Sequence, residues 1–314
     1  MTDLLKSKKY KVLFAILCAV GWSLAYPLIK VGYGVFGIAA DDLGGKLLFA
    51  GVRFFSAGLL IVVFCAIKHR SLGIKKKADL SWLILLALVN TTLHYMFAYI
   101  GLSNNPSGRS TILDSLGGFI LIVLSTVFFA DDKMNIRKVI GCVLGLGGIV
   151  LISIGPTGLS FDNITFAGDG MILLNAICAA FGGIITRIVS KKMDILSATG
   201  WSMTIGGAIL ILISVFVGIK GSWMIRPIGV IVLIALIMIS AVCFAIYNAL
   251  LTYHPISEIA IYNALIPVLG VVISALLLQE PLKWQYILSV LLVAAGIWII
   301  NIKRSEVGRG HDSK

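Results

Sequence analysis

Residues 106–131 read PSGRSTILDSLGGFILIVLSTVFFAD, and residues 255–280 read PISEIAIYNALIPVLGVVISALLLQE. Laid over one another at an offset of 149 without a gap, Pro106 meets Pro255, Arg109 meets Glu258, Asp114 meets Asn263, Ser125 meets Ser274 and Asp131 meets Glu280. Further on, Gly147 meets Gly296. A chance match of two apolar stretches would pair Leu with Ile, but not a leading proline and an acid 25 residues later. The chain therefore reads as two copies of one unit.

Composition says what the units are made for. Hydrophobic residues make up 59% of the 314 and charged residues 13%, about half the ~25% charge of a soluble domain. Mean hydropathy is +1.03, and 33 Gly against 7 Pro suit closely packed helices in lipid. A soluble enzyme is excluded. The net charge of +12 lies between apolar runs, where it speaks for membrane topology and not for nucleic acid. Cys18, Cys65, Cys142, Cys178 and Cys243 all fall inside apolar runs, so neither a disulfide framework nor a spaced metal site is expected.

A spanning helix needs about 20 mostly apolar residues. Ten such runs are present: 12–30, 47–67, 80–102, 105–130, 137–154, 168–189, 197–219, 226–252, 256–279 and 284–301. Spans 3 and 4, and spans 8 and 9, are joined only by Ser103-Asn104-Asn105-Pro106 and Tyr253-His254-Pro255, so each pair is a helical hairpin. Span 1 follows Lys6, Lys8, Lys9 and Lys11 as a signal peptide would, but its length, Trp22 and Pro27 mark a retained helix. With both termini cytoplasmic, the inner segments hold 19 of the 26 Lys and Arg, as the positive-inside rule requires. Five spans per unit is an odd number, so the second unit enters the membrane upside down. The expected fold is an all-α integral membrane protein of ten helices in two inverted five-helix repeats, 1–154 and 155–314.

Charged groups within a bilayer cost roughly 2.5 to 3.5 kcal/mol each even on the lenient scale, so each needs a reason. Asp114 lies eight residues past Pro106, about 12 Å into a ~30 Å core. Asn263 lies equally deep from the other side, so the pseudo-two-fold brings both near the midplane, where such proteins hold substrate. Asp114 is read as a binding residue or as one tied to Ser110 or Thr111, one turn back. Arg109 and Glu258, a turn into their hairpin helices at opposite faces, are read as outer and inner gate elements or as side chains reaching water. His94 shares a face with Asn90 and is either a proton carrier or a neutral core residue. Trp22, Tyr26, Tyr95, Tyr99, Trp201, Tyr247 and Tyr262 are candidate aromatic lining, though most aromatics in spanning helices only pack. Lys30 and Arg187 are expected to reach the interface. Gly141-Cys142-Val143-Leu144-Gly145 reads as a packing face, for span 10 or for a second protomer in a homodimer.

The residues also resemble the drug/metabolite transporter superfamily, specifically its ten-helix proteins built from two EamA repeats. Gly21-Trp22-Ser23-Leu24-Ala25-Tyr26-Pro27-Leu28-Ile29-Lys30 looks like that family's first helix, and Arg53 in Ala50-Gly51-Val52-Arg53-Phe54-Phe55 like its second-helix arginine. Asn263-Ala264-Leu265-Ile266-Pro267-Val268, Leu278-Gln279-Glu280-Pro281 and Ala294-Ala295-Gly296-Ile297 match in order, and the likeness covers about residues 11–302. The first repeat departs by carrying Gly118 where the second has Pro267, so span 4 is expected to be straighter than span 9. The resemblance implies a secondary transporter, often an exporter, of amino acids or other small metabolites. It implies no cofactor; its partners are a small-molecule substrate and the lipid bilayer, in a membrane whose compact loops suggest the bacterial inner membrane. An antiporter of sugar nucleotides or phosphate esters would need paired deep cations, for which Arg109 is the candidate. A lipid-modifying enzyme would need a catalytic cluster; no His-Glu-x-x-His, Gly-x-Ser-x-Gly or spaced Asp-rich motif occurs.

Overall fold

The computed structural model describes residues 2–39, 41–73, 76–104, 107–153, 165–220, 226–278 and 284–302. Every regular element among them is helical. The helices are α1 (Thr2–Lys6), α2 (Lys8–Phe36), α3 (Leu43–Ile67), α4 (Lys77–Ala87), α5 (His94–Asn104), α6 (Ser107–Phe128), α7 (Ile136–Ser153), α8 (Met171–Ser190), α9 (Ile195–Val217), α10 (Pro227–Tyr253), α11 (Ile256–Ala260), α12 (Leu265–Leu278) and α13 (Trp284–Asn301). α4 runs into α5 through a π-turn at Leu88–Leu93, and α11 into α12 through a 3-10 turn at Ile261–Ala264. Among the described residues six stretches are long and apolar enough to cross a membrane, and Leu113–Phe128, Ile256–Gly270 and Ile287–Asn301 are shorter apolar helices. Ser7, Asp42 and Asp194 start α2, α3 and α9 by accepting a hydrogen bond from a backbone N–H of the first turn.

The two hairpin helices differ as Gly118 and Pro267 require. α6 runs unbroken from Ser107 to Phe128, whereas its counterpart breaks at Ile261–Ala264. Proline lacks the N–H that would bond the carbonyl four residues back, and its ring crowds that carbonyl. For Pro267 that residue is Asn263, which lies in the 3-10 turn.

Two antiparallel helix pairs join the halves. Along α3 and α9, a methyl group on Gly51 would lie 3.0 Å from the carbonyl oxygen of Gly207, and one on Gly207 would lie 2.9 Å from that of Gly51. Gly58 and Gly200 face each other in the same reciprocal way. Gly51 and Gly58 recur at the 149 offset as Gly200 and Gly207, so a repeat seen in the last two spans of each unit extends to the second. Along α7 and α13, a methyl on Gly141 would sit 2.8 Å from the Gly296 carbonyl oxygen, while Ser289 Oγ donates to Gly148 O at 2.6 Å. Gly141 therefore packs on span 10, while the open side of Gly145 is filled by Phe119 of α6. Helices at equivalent positions in the two halves meet antiparallel, which is the inversion itself. Small residues suit these contacts, because in lipid helices associate through close backbone packing and not through a hydrophobic drive.

Ion pairs join segments that the ten-span path puts on one face. On the face carrying the N-terminus, Arg70 Nη2 lies 2.5 Å from Asp194 Oδ2, Lys192 Nζ 3.7 Å from Asp79 Oδ1 and Lys138 Nζ 2.6 Å from Asp132 Oδ1. Lys11 pairs with Glu258 and Arg187 with Asp131 on the same face. On the opposite face Lys220 Nζ lies 2.9 Å from Asp41 Oδ2. Arg187 does not simply reach the interface as expected. It is 8% exposed, pairs with Asp131 and donates to the His254 carbonyl at 3.1 Å.

Candidate functional site

A cavity of about 150 Å³ lies between the halves. Trp22, Ala25 and Ile29 reach it from α2, Arg53 from α3, Asn90 from the π-turn, and His94, Tyr95 and Tyr99 from α5. Asp114, Gly117 and Gly118 of α6 and Asn175 and Gly183 of α8 form another wall. Phe244, Tyr247, Asn248 and Leu251 of α10, with Asn263, Ile266 and Pro267, complete it. The lining obeys the repeat: Asp114 and Asn263, Gly117 and Ile266, Gly118 and Pro267 are pairs at the 149 offset. Tyr95 and Phe244, Ala98 and Tyr247, Tyr99 and Asn248, and Leu102 and Leu251 are pairs at the same offset. Equivalent positions of two inverted units converge on one space, so the pseudo-two-fold passes through it.

Local irregularity presents the polar groups. The π-turn at Leu88–Leu93 widens the helix where Asn90 points into the cavity, a use to which such turns are often put. The 3-10 turn presents Asn263, whose Nδ2 donates to Tyr247 Oη at 2.9 Å. Asp114 accepts a hydrogen bond from Asn175 Nδ2, and Arg53 Nε donates to Ser240 Oγ at 2.7 Å. Trp22 stacks edge-on against Tyr247 at 4.9 Å and Phe244 at 5.5 Å, and His94 against Tyr95 at 4.4 Å. Four buried polar atoms of the lining have no hydrogen-bond partner among the described residues: Trp22 Nε1, His94 Nδ1, Tyr99 Oη and Asn175 Oδ1. Such atoms are uncommon in folded interiors and mark places where a ligand or water belongs.

Of the residues singled out in the sequence, Trp22, His94, Tyr95, Tyr99, Asp114, Tyr247 and Asn263 line the cavity. Trp201 is not among them. It packs beside Leu83, Leu86, Val189 and Ala198, between α4, α8 and α9. Tyr262 is 3% exposed within a core that includes Ile261 and Val293. Its neighbour Asn263 faces the cavity, and successive residues of a 3-10 turn point about 120° apart. The side chains of Tyr26 and Arg109 lie outside the described residues. Glu258 is held by Lys11, with a third of its side chain exposed.

Sequence reading missed Arg53, Asn175, Asn90 and Asn248 as lining. Arg53 was noted only for its family likeness and Asn90 for sharing a face with His94. The signal for Arg53 was available: it is the only charged residue inside the apolar run 47–67. Arg53, 2% exposed, is a deep cation of the cavity lining, while the expectation for Arg109 falls outside the described residues.

Beyond the cavity, on the N-terminal face, lies a polar clasp. Arg187 sits one turn past Gly183, and His254 three residues past Leu251. Asp132, 1% exposed, accepts from the Ser257 backbone N–H at 2.9 Å and Ser257 Oγ at 2.5 Å as well as pairing with Lys138. Burial pushes the Asp132 carboxyl up, but these donors outweigh it and hold it below the usual carboxylate value. His254 Nε2 lies 2.9 Å from Leu5 O, and Lys6 stands 5.4 Å over the Tyr253 ring. The clasp thus ties the α6–α7 turn and the N-terminus to the α10–α11 turn.

Two inverted helical units enclosing a polar, aromatic-lined cavity within apolar helices define an integral membrane transporter. Residues 9–154 and 166–302 match the EamA-like transporter family. The chain belongs to that family, whose members carry small molecules across membranes. It is 28% identical over 306 residues to the "Uncharacterized transporter YvbV" of Bacillus subtilis, covering 94% of this chain and 93% of that one. It is also 28% identical over 266 residues to a chloroplastic WAT1-related protein of Arabidopsis thaliana, covering 82% and 63%. A solved crystal structure with 15% sequence identity superposes with a TM-score of 0.76 over 94% of this chain and 97% of the other, a likeness of fold.

Proposed function

We propose that this protein exports amino acids or related small amphipathic compounds across a bacterial inner membrane, by alternating access around the cavity, leaving the substrate chemically unchanged. The observation that carries the reading is Asp114. It is an acid on a cavity wall opposite aromatic rings, and the second repeat holds the neutral Asn263 at the same position. The second repeat works with an amide there, so the fold does not require a charge at this position. An ammonium group beside Asp114 and Asn175 Oδ1, with the apolar remainder against Trp22 and Phe244, satisfies that wall.

The positive-inside count supports ten spans with both termini cytoplasmic, and the clasp of Asp131, Asp132, Arg187 and Ser257 then shuts the cytoplasmic mouth. Opening inward would need the clasp to part while the halves rock about the glycine-packed pairs α3/α9 and α7/α13. An exchanger of phosphate esters fits less well: the described lining holds one cation, Arg53, and Asp114 would repel the anion.

Purified protein in liposomes loaded with a mixture of amino acids tests the reading. Saturable, stereoselective flux with intact product is expected. Absence of flux for every amino acid, or recovery of a converted compound, would overturn it.

A further inference from the structure

The cavity carries a second buried charge that the proposed function does not use. Arg53 reaches it from α3 with its guanidinium anchored through Nε to Ser240 Oγ at 2.7 Å. A guanidinium has five N–H donors in a planar fork suited to carboxylates, and this bond uses one. Tyr99 Oη lines the same cavity, on a residue 1% exposed, with no hydrogen-bond partner among the described residues. The Trp22 indole N–H is a further unpartnered donor.

The repeat gives an independent observation. At the 149 offset that superposes Gly51 and Gly58 on Gly200 and Gly207, Arg53 falls on Ser202, whose hydroxyl donates to Thr199 O at 3.0 Å within its own helix. The glycine-packed pair therefore forms with serine at this position. Asp114 and Arg53 are both charges that only the first repeat carries, and both line the cavity.

We propose that Arg53 and Tyr99 form a carboxylate subsite and Asp114 with Asn175 an ammonium subsite, so that the transported molecules are zwitterions recognised at both ends. The orientation of Asn175 fits this. Its amide nitrogen is given to the Asp114 carboxylate, which leaves its oxygen to accept from the ligand. Donors then gather at one end of the site and acceptors at the other. The inference rests on the amino-acid reading and makes it stricter, because amines and acids that share the side chain are excluded.

The test uses purified full-length protein and a matched series: leucine, isopentylamine and 4-methylpentanoate, together with a panel of the other common amino acids. Ligand-induced thermal stabilisation and counterflow in liposomes are read for each. The parent should bind leucine or another panel member at least ~10-fold more tightly than the corresponding amine or acid, the loss expected when a buried charge keeps no partner. Arg53→Gln should remove that preference over the amine, and Asp114→Asn the preference over the acid. Arg53→Lys, which keeps the charge without the fork, should restore part of the discrimination should Arg53→Gln prove poorly folded. Equal binding of amine and amino acid by the parent, or an unchanged preference over the amine in Arg53→Gln, overturns the subsite while leaving an amino-acid transporter in place. Binding of no panel member overturns both.

Discussion

Gly58 of α3 and Gly200 of α9 face each other backbone to backbone. A methyl group on Gly58 would lie 2.6 Å from the Gly200 carbonyl oxygen, and one on Gly200 would lie 3.1 Å from the Gly58 carbonyl oxygen. The reciprocity is that of a two-fold axis, since each glycine occupies in its own half a position that recurs in the other. Small residues at this seam let the backbones approach without interlocking side chains.

The close approach predicts that Gly58→Ala lowers stability by about 1–3 kcal/mol, the usual effect of overpacking against backbone that cannot move aside. A Cβ there would also lie 2.4 Å from the Thr204 amide nitrogen. Gly147→Ala, in the same kind of helix but with nothing within 4 Å, should be neutral or slightly stabilising. Thermal melts in one detergent compare the two; equal melting temperatures would remove the packing argument.

Asp114→Asn should fold, because its amide can still accept from Asn175 Nδ2. Stabilisation by the amino acid should fall to that given by the matching acid, since a buried ion pair that loses one partner is weakened by roughly 3–5 kcal/mol. Monodispersity by gel filtration and ligand thermal shift are the two readouts. Parental flux in this variant would shift the binding role to His94 and the aromatic rings.

The clasp makes its own prediction. Arg187→Gln removes the pair with Asp131 and weakens the link to the His254 carbonyl, so the N-terminal mouth should open more often. A cysteine at Leu251, which lines the cavity three residues before His254, should then be labelled several-fold faster from the cytoplasmic side. Unchanged labelling would leave Arg187 a packing residue.

Asp132 sets the pH response of that clasp. Its carboxyl is held below the ordinary 3.8, so the folded state prefers it ionised; that stability is present above 3.8 and is lost as pH falls through the lowered value. The stability gap between the parent and Asp132→Asn should be flat from pH 8 to 5 and close only below 3.8. Melting curves across that range decide; a gap that closes near pH 6 would point to a different group.

Sidedness can be settled by impermeant maleimide on whole cells. A cysteine at Ser71 should react only after permeabilisation, and one at Lys220 should react in intact cells. The opposite pattern would invert the membrane orientation.

Legibility divided along a physical line. Periodic hydropathy, the two prolines that start the hairpins and the offset of 149 lie in the covalent order of the residues, and they were enough for an all-helical membrane fold of two inverted units. Lipid leaves a chain little choice, because each spanning backbone must satisfy its own hydrogen bonds within a helix. Gly118 against Pro267 likewise foretold an unbroken α6 and a broken partner. The offset could also have shown Gly51 and Gly58 recurring as Gly200 and Gly207, a signal present in the chain and passed over.

What faces what was decided by tertiary structure alone. Tyr262 and Asn263 are neighbours in sequence, yet one is core and the other cavity, because a tight turn rotates successive side chains away from each other. Trp201 and Trp22 look alike as aromatic residues in apolar runs, and only the packing of α9 against α4 and α8 turns Trp201 away. Arg53 and Asp114, 61 residues apart, become two charges of one site only when α3, α5, α6 and α8 close around a shared space. Hydropathy records how much of a helix avoids water; the direction of each side chain within the bundle depends on neighbours that no local stretch of sequence contains.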